Sequence, residues 1–442
     1  MFAGPVGAVL ARPWLDRVLL RALRGAYFPL SRAWGAAEAS EGDPERFWAD
    51  LGVPRRLDHR EAWMRRLARF EQARATSEAV AQAWQEGFFG ATEPSAARLQ
   101  AMEAARMETA QAYGATRRLF LPTLGARVPS VRAMIPTPEE VEAAIEPERL
   151  FQAPATFGRV RESRRVAGAV GTDHWLFFDS PSARVGGVAT ARVHTPDGVA
   201  NPPTVILGHG VCVEFDQWQG LIDESVALVR RGIRVIRPEA PWHGRRRPRG
   251  YFGGERMIAA FPLGALDLFS ASVGEWAVLA DWAIRTSRGP LAFGGSSLGA
   301  LTSQLAASAA HDWPDAIRPR ALFLVTHSDQ MSVAMTTGPL STMWVDPSAA
   351  AEKGWTEETA RQALEPLEPS RPPVVRPERI VSVLGAQDVI TPFTTGRALV
   401  ERWRVPPENV FISNRGHFTI PMSLMRDPRP VDRFAAILYG ID

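Results

Sequence analysis

Apolar and polar positions follow two different rhythms along this chain. Through residues 13–111 the repeat is helical: Ala, Arg, Glu and Leu dominate, β-branched residues are few, and apolar side chains return every three or four positions. Residues 60–86 form the longest such stretch, with Trp63, Leu67, Phe70, Ala81 and Trp84 on one side and Arg65, Arg69 and Glu71 elsewhere on the wheel; Arg74 falls inside the apolar stripe. A turn over 90–94 and a second helical stretch over 95–114 predict an αα-hairpin. Pro136-Thr137-Pro138-Glu139-Glu140 predicts a short helix with Thr137 as N-cap, Pro138 at the first position and Glu140 closing a capping box.

From about residue 157 short β-rich runs alternate with helical segments. Runs at 174–178 and 189–194 predict an opening antiparallel pair. Further strands are expected at 204–207, 233–238, 291–293, 321–326, 379–384 and 410–413, with helices at 221–231, 263–285, 298–310, 395–403 and 431–438. Such alternation predicts a mostly parallel sheet flanked by helices, an α/β fold whose chemistry gathers at the carboxyl ends of the strands. The expected division is a helical region over 1–156 and an α/β region over 157–442.

Composition narrows the class. The chain has 442 residues, long enough for a closed core with more than one folded region. With one cysteine, Cys212, it can hold neither an internal disulfide framework nor a cysteine zinc site. No uninterrupted apolar run reaches the roughly 18 residues of a membrane span, and residues 1–11 lack a cationic signal region; a cytoplasmic protein is expected. Net charge is +3, yet the pI is near 9.5, because Lys353 is the single lysine and every other cation is arginine. These arginines alternate with 48 acids rather than forming a basic stripe, so no nucleic-acid partner is expected. No set of His and acidic residues has metal-ligand spacing, and neither metal nor cofactor is expected.

The chemistry concentrates at three strand ends. Leu291-Ala292-Phe293 leads into Gly294-Gly295-Ser296-Ser297-Leu298-Gly299-Ala300 and then a helix. This is G-x-S-x-G between a strand and a helix, a nucleophile elbow with Ser297 at its tip. Ser296 is excluded by register, because the residue two beyond it is Leu298. A serine hydroxyl needs a base, and the base needs an orienting group. Asp388 lies just past one strand end, and His417 lies in the loop past the last strand, in the order Ser, acid, His. Asp329, past the preceding strand, is the rival acid. Two backbone N–H donors would hold a developing oxyanion. Leu298 is one candidate; Val211, in the turn Gly208-His209-Gly210-Val211-Cys212, is the other, with Cys212 next. His209 and His243 read as loop-orienting residues.

From about residue 189 onward the chain resembles α/β-hydrolases. It is similar, more narrowly, to the family of the eukaryotic abhydrolase domain-containing protein eighteen and its bacterial relatives. The segments that carry this likeness are Pro238-Glu239-Ala240-Pro241-Trp242-His243-Gly244-Arg245-Arg246-Arg247-Pro248, Leu266-Asp267-Leu268-Phe269, Gly294 through Gly299, Thr336-Thr337-Gly338-Pro339-Leu340-Ser341, and the Asp388 and Gly416-His417 segments. The resemblance implies a serine hydrolase acting on carboxylic esters, lipid acyl esters among them, with Ser297, Asp388 and His417 as its reacting residues.

Three further features bear on substrate and partner. Arg245, Arg246 and Arg247 leave the carboxyl edge of a strand and would suit an anionic ester; the alternative is a solvated loop or pairing with acids. Residues 329–373 form an insertion long enough for a lid, and its Met331, Met335, Met343 and Trp344 would suit an apolar acyl pocket. Residues 13–28 place Leu15, Val18, Leu19 and Leu23 against Arg17, Arg21 and Arg24, a pattern that suits either docking on the protein or peripheral contact with an anionic membrane. The expectation is an α/β-hydrolase fold with an N-terminal helical appendage, cleaving a small-molecule or lipid ester through an acyl-enzyme. Acyl transfer or peptide hydrolysis on the same residues, and ligand binding without catalysis, are the rivals.

Overall fold

The computed structural model describes residues 12–53, 59–214, 224–340, 346–369 and 371–441. Ten strands make one sheet: β1 (Arg161–Glu162), β2 (Val166–Ala167), β3 (Thr172–Asp179), β4 (Val188–Thr195), β5 (Thr204–Gly208), β6 (Arg234–Pro238), β7 (Leu291–Ser296), β8 (Ala321–Val325), β9 (Ile380–Gly385) and β10 (Val410–Ser413). Their spatial order is β1-β3-β4-β6-β5-β7-β8-β9-β10, with β2 also on β3. The pairs from β1 to β6 through β3 and β4 are antiparallel, and every pair from β6 to β10 is parallel.

Burial explains why the parallel strands were readable. Strands β8 and β9 are buried at every position, as expected where helices cover both faces. Alternate side chains feed two separate cores. Ile206, Ile236, Phe293, Leu322 and Leu384 join the helices Leu263–Thr286 and Leu298–Ala309 on one face. Val205, Val235, Ala292, Phe323 and Val383 meet Leu228, Phe434 and Leu438 on the other. The Leu263–Thr286 helix is, among the described residues, long and apolar enough by composition to cross a membrane, although no uninterrupted apolar run marked it in the sequence. Most of it is buried within the protein, so it serves here as a core helix.

The first third is helical: Pro13–Ala22, Phe28–Ser40, Pro44–Leu51, Arg60–Phe89 and Ala96–Ala115. The last two pack as the expected hairpin, and the capping box at Thr137 and Glu140 forms. Arg74, the residue out of pattern, is held by Glu71 at 2.7 Å and Glu78 at 2.6 Å. These helices have an aromatic core of their own, with Trp34, Phe47, Trp63, Phe70 and Phe120 in contact. A second cluster joins them to the sheet: Trp84 and Phe88 meet Trp175 of β3 edge-on, with ring centroids 5.0 and 5.2 Å apart.

The chain crosses from β5 to β6 on one side and then returns to β7 on the other. The carboxyl ends of β5 and β7 therefore border a topological switch point, where open sheets leave a crevice. The loop carrying Val211 and the turn carrying Ser297 both begin there.

Candidate active site

Ser297 follows β7 with φ 55° and ψ −116°, a conformation L-residues rarely adopt; holding it costs on the order of 1–3 kcal/mol. Its own N–H donates to Val325 O at 3.0 Å, and the Leu298–Ala309 helix starts at the next residue. Glycines make this turn possible by close backbone contact. A Cβ on Gly208 would lie 2.6 Å from Gly299 Cα, and a Cβ on Gly295 would lie 2.5 Å from Gly299 C. Neither distance is tolerable, so the same three glycines that free the elbow also bring the end of β5 against it.

Three polar side chains then fall in line. Ser297 Oγ is 2.9 Å from His417 Nε2, and His417 Nδ1 is 2.9 Å from Asp388 Oδ2. Asp388 is fixed in turn: Oδ1 accepts the N–H groups of Ile390 at 2.9 Å and Thr391 at 3.0 Å, and Oδ2 accepts the Thr391 hydroxyl at 2.9 Å. The Thr391 oxygen also lies 3.2 Å from His417 Nδ1. A carboxylate so filled can only accept, so the imidazole proton sits on Nδ1 and Nε2 is left to accept from Ser297. Thr391 escaped the sequence reading, although Asp followed by Thr three residues on is the signature of a side-chain-closed turn. The rival acid is elsewhere: Asp329 is buried and pairs with Arg402 at 3.1 Å.

The opposing loop is clamped by two histidines in a reciprocal arrangement. His209 Nε2 accepts the Ala240 N–H at 3.1 Å, and its Nδ1–H donates to Gly210 O at 2.7 Å. His243 Nε2 accepts the Cys212 N–H at 3.1 Å, and its Nδ1–H donates to Pro241 O at 2.9 Å. Their ring centroids are 5.0 Å apart. Burial pushes His209 down to about 3 and His243 down to about 4, so both stay neutral and keep Nε2 as an acceptor. The Cys212 N–H is therefore engaged and cannot serve an oxyanion. Among the described residues, no acceptor takes the N–H of Val211 or of Leu298, the latter being an unsatisfied first-turn donor of its helix. Val211, Ser297 and Leu298 line one pocket.

Residues 215–349 match the family model described as "Alpha/beta hydrolase domain containing 18". Over that stretch the chain is similar to this family, and its mostly parallel sheet flanked by helices is the α/β-hydrolase fold. No curated protein matches it. Among solved structures, a cold-adapted esterase from an Arctic intertidal metagenomic library aligns at 16% identity, covering 62% of this chain and 97% of that one, with a TM-score of 0.40. Acetyl xylan esterase 1 from Thermoanaerobacterium sp. JW/SL YS485 aligns at 14% identity, over 66% and 96% of the two chains, with a TM-score of 0.40. S-formylglutathione hydrolase from Agrobacterium tumefaciens gives 14%, 62%, 98% and 0.41 in the same order.

The pocket at Ser297 is apolar and small. Met257, Phe269, Leu301, Met331, Met335 and Ile390 are among the residues walling a cavity of about 50 Å³. Met335 also borders a second hollow of about 270 Å³, walled by Ile135, Phe261 and Trp355. Met331 and Met335 of the expected insertion line the pocket at Ser297; Met343 and Trp344 lie outside the described residues.

For Arg246 and Arg247 the structure shows the alternative of pairing with acids. Arg246 makes a two-bonded ion pair with Glu275 at 2.6 and 2.7 Å, and Arg247 makes one with Glu38 at 2.6 and 2.9 Å. The Arg245 guanidinium lies 4.2 Å from the Trp84 ring centroid, and that of Arg247 lies 4.4 Å from the Trp34 centroid. The charges of Arg246 and Arg247, already paired inside the protein, are not free to grip a substrate anion. Arg245 and Arg247 instead fasten the N-terminal helices to the strand-end loop, and Arg246 ties that loop to the Leu263–Thr286 helix. The N-terminal region reaches the site as well: Arg117 pairs with Glu214 at 3.1 Å just beyond the Val211 loop, and Tyr27 donates to Cys212 O at 3.5 Å.

Proposed function

We propose that this α/β-hydrolase is a serine esterase working through an acyl-enzyme. The observation that carries the reading is the line of 2.9 Å contacts from Ser297 through His417 to Asp388, with Ser297 held at positive φ. Ser297 Oγ attacks the ester carbonyl carbon as its proton passes to His417 Nε2. The carbonyl oxygen becomes an oxyanion held by the N–H groups of Leu298 and Val211. Collapse of the tetrahedral adduct breaks the bond to the alkoxy oxygen, which leaves as the alcohol with the proton from His417. Water then attacks the acyl-enzyme, giving up its proton to His417, and the carboxylic acid departs as Ser297 is reprotonated. No cofactor enters this scheme.

Among the described residues the pocket wall offers no charged group to the acyl part, which supports an uncharged aliphatic acyl ester of the kind lipids carry. Acyl transfer differs only in the acceptor that replaces water, and product analysis separates the two.

A fluorophosphonate probe tests the reading. The wild type is expected to take the label on Ser297, located by mass spectrometry of the modified peptide, and Ser297→Ala is expected to take none. A folded wild type that resists both the probe and small p-nitrophenyl esters would overturn it in favour of a binding protein.

A further inference from the structure

Asp16, on the first helix of the chain, is a polar residue where the amphipathic pattern offers no reason for burial, yet it is 7% exposed. Its partners all belong to the segment that carries His417. Oδ1 accepts the Phe418 N–H at 2.7 Å and the Thr419 N–H at 3.4 Å, and Oδ2 accepts the Thr419 hydroxyl at 2.6 Å. The Thr419 oxygen in turn accepts the Gly416 N–H at 3.0 Å. The carboxylate therefore ties the backbone on both sides of His417, from Gly416 through Thr419. A Cβ on Gly416 would overlap the Asp16 carboxyl carbon, so the glycine before His417 is what admits Asp16. The helix also docks through Leu20 and Leu23 on the main core.

Sequence distance makes this contact informative. Asp16 and Phe418 are 402 residues apart, and the short helix Thr419–Leu424 has no side-chain cap from its own N-cap residue, Phe418. Asp16 supplies that cap from another part of the chain. Ser297 is held by backbone packing and Asp388 by its own turn, whereas His417 stands on a loop that Asp16 secures. Asp16 does not line the pocket at Ser297.

We infer that Asp16 is a positioning residue for His417, so that the N-terminal helix completes the active site. The inference rests on the esterase reading above. Displacing a reacting group by a fraction of an ångström, without changing the pocket, lowers kcat and spares KM. Asp16→Ala is expected to lower kcat roughly 10- to 100-fold on a p-nitrophenyl ester, with KM within about twofold of wild type. Asp16→Asn, which keeps the acceptor for the two N–H groups, is expected to fall between it and wild type. A second readout is the downfield NMR resonance of the His417 Nδ1 proton, which should broaden or disappear in Asp16→Ala and persist in Asp16→Asn.

The full-length chain is used throughout, with near-ultraviolet circular dichroism to verify folding. If Asp16→Ala does not fold, Thr419→Val, which removes only the hydroxyl link, decides the matter by the same kcat and NMR readouts. Unchanged kcat and an unchanged Nδ1 resonance in a folded variant would overturn the inference while leaving the esterase reading intact. Failure of wild type to react with the fluorophosphonate would instead remove the reading on which it stands.

Discussion

Replacing Asp388 by Asn probes the proton arrangement at one atom. Asp388 is buried, with Oδ1 facing two backbone donors and Oδ2 facing the Thr391 hydroxyl and His417 Nδ1. An asparagine amide can enter this site in one sensible orientation. Its NH₂ cannot face the N–H groups of Ile390 and Thr391, because that would leave two buried donors against a third, at about 1–3 kcal/mol for each unsatisfied group. The amide oxygen therefore replaces Oδ1, and the NH₂ points at His417. Nδ1 must then accept, the imidazole proton moves to Nε2, and Nε2 can no longer take the proton of Ser297. An equivalent change in a serine protease lowers kcat about 10⁴-fold, close to 5 kcal/mol of barrier.

The expected outcome is a loss of that order in kcat for p-nitrophenyl acetate, with KM little changed and the melting temperature close to wild type. Asp329→Asn serves as the control, because Asp329 pairs with Arg402 away from the imidazole, and it should retain nearly full kcat. A loss below tenfold in folded Asp388→Asn, or a larger loss in Asp329→Asn, would refute the assignment of the imidazole proton.

Other consequences follow from burial and charge. His174, His209 and His327 are pushed down to about 3 and His243 to about 4, burial being the largest cause in each. The unfolded chain protonates these rings near pH 6.5 and the folded one does not, so stability falls as pH drops from about 6.5 toward 4, by about 1 kcal/mol per pH unit for each ring; a melting temperature that is flat over that window contradicts this. Glu38→Ala leaves Arg247 buried without its partner and should destabilise by about 3–5 kcal/mol in urea unfolding, whereas a loss under 1 kcal/mol would mean the pair is dispensable. Met335→Ala opens the Ser297 pocket toward the adjoining hollow and should raise the ratio of octanoate to acetate hydrolysis about tenfold; an unchanged ratio means the two spaces do not serve one substrate. The first helix exposes Trp14 at 41% and Val18 at 46% beside exposed Arg17, Arg21 and Arg24. Co-sedimentation with anionic phospholipid vesicles is therefore expected and should be lost in a Trp14→Ala, Arg17→Gln, Arg21→Gln variant, and absence of wild-type binding ends that proposal.

What was legible in the sequence was what depends on neighbours along the chain. Strands β5 to β9 announced themselves because both faces are buried, which forces runs such as Ala321–Val325 to be apolar throughout. Strands β1 and β2 were missed because two residues apiece, partly exposed, carry no period. The Phe28–Ser40 helix is buried almost all round, so it shows no polar face for a pattern to reveal. The elbow was readable because its glycine spacing is a local steric requirement, and the order of Asp388 and His417 followed from where strands end.

What stayed hidden depends on partners far away in the chain. Arg245, Arg246 and Arg247 read as a cationic loop near a site because nothing adjacent neutralises them; Glu38 precedes them by about 200 residues, and Glu275 waits on a later helix. The first helix was read by its leucines, yet two of its exposed positions are Trp14 and Val18, and a buried one is Asp16. A carboxylate goes inward there because it satisfies two backbone N–H groups and a hydroxyl beside His417. The same logic joins the other contacts of the N-terminal region: Arg117 on Glu214, Tyr27 on Cys212 and Trp84 against Trp175 each pair a helical residue with one that frames the strand ends or the sheet. An appendage would leave its host's buried polar groups satisfied without it. Here Arg247, Glu214 and the Phe418 N–H take their partners from the helices, so the helical region is part of the protein's interior.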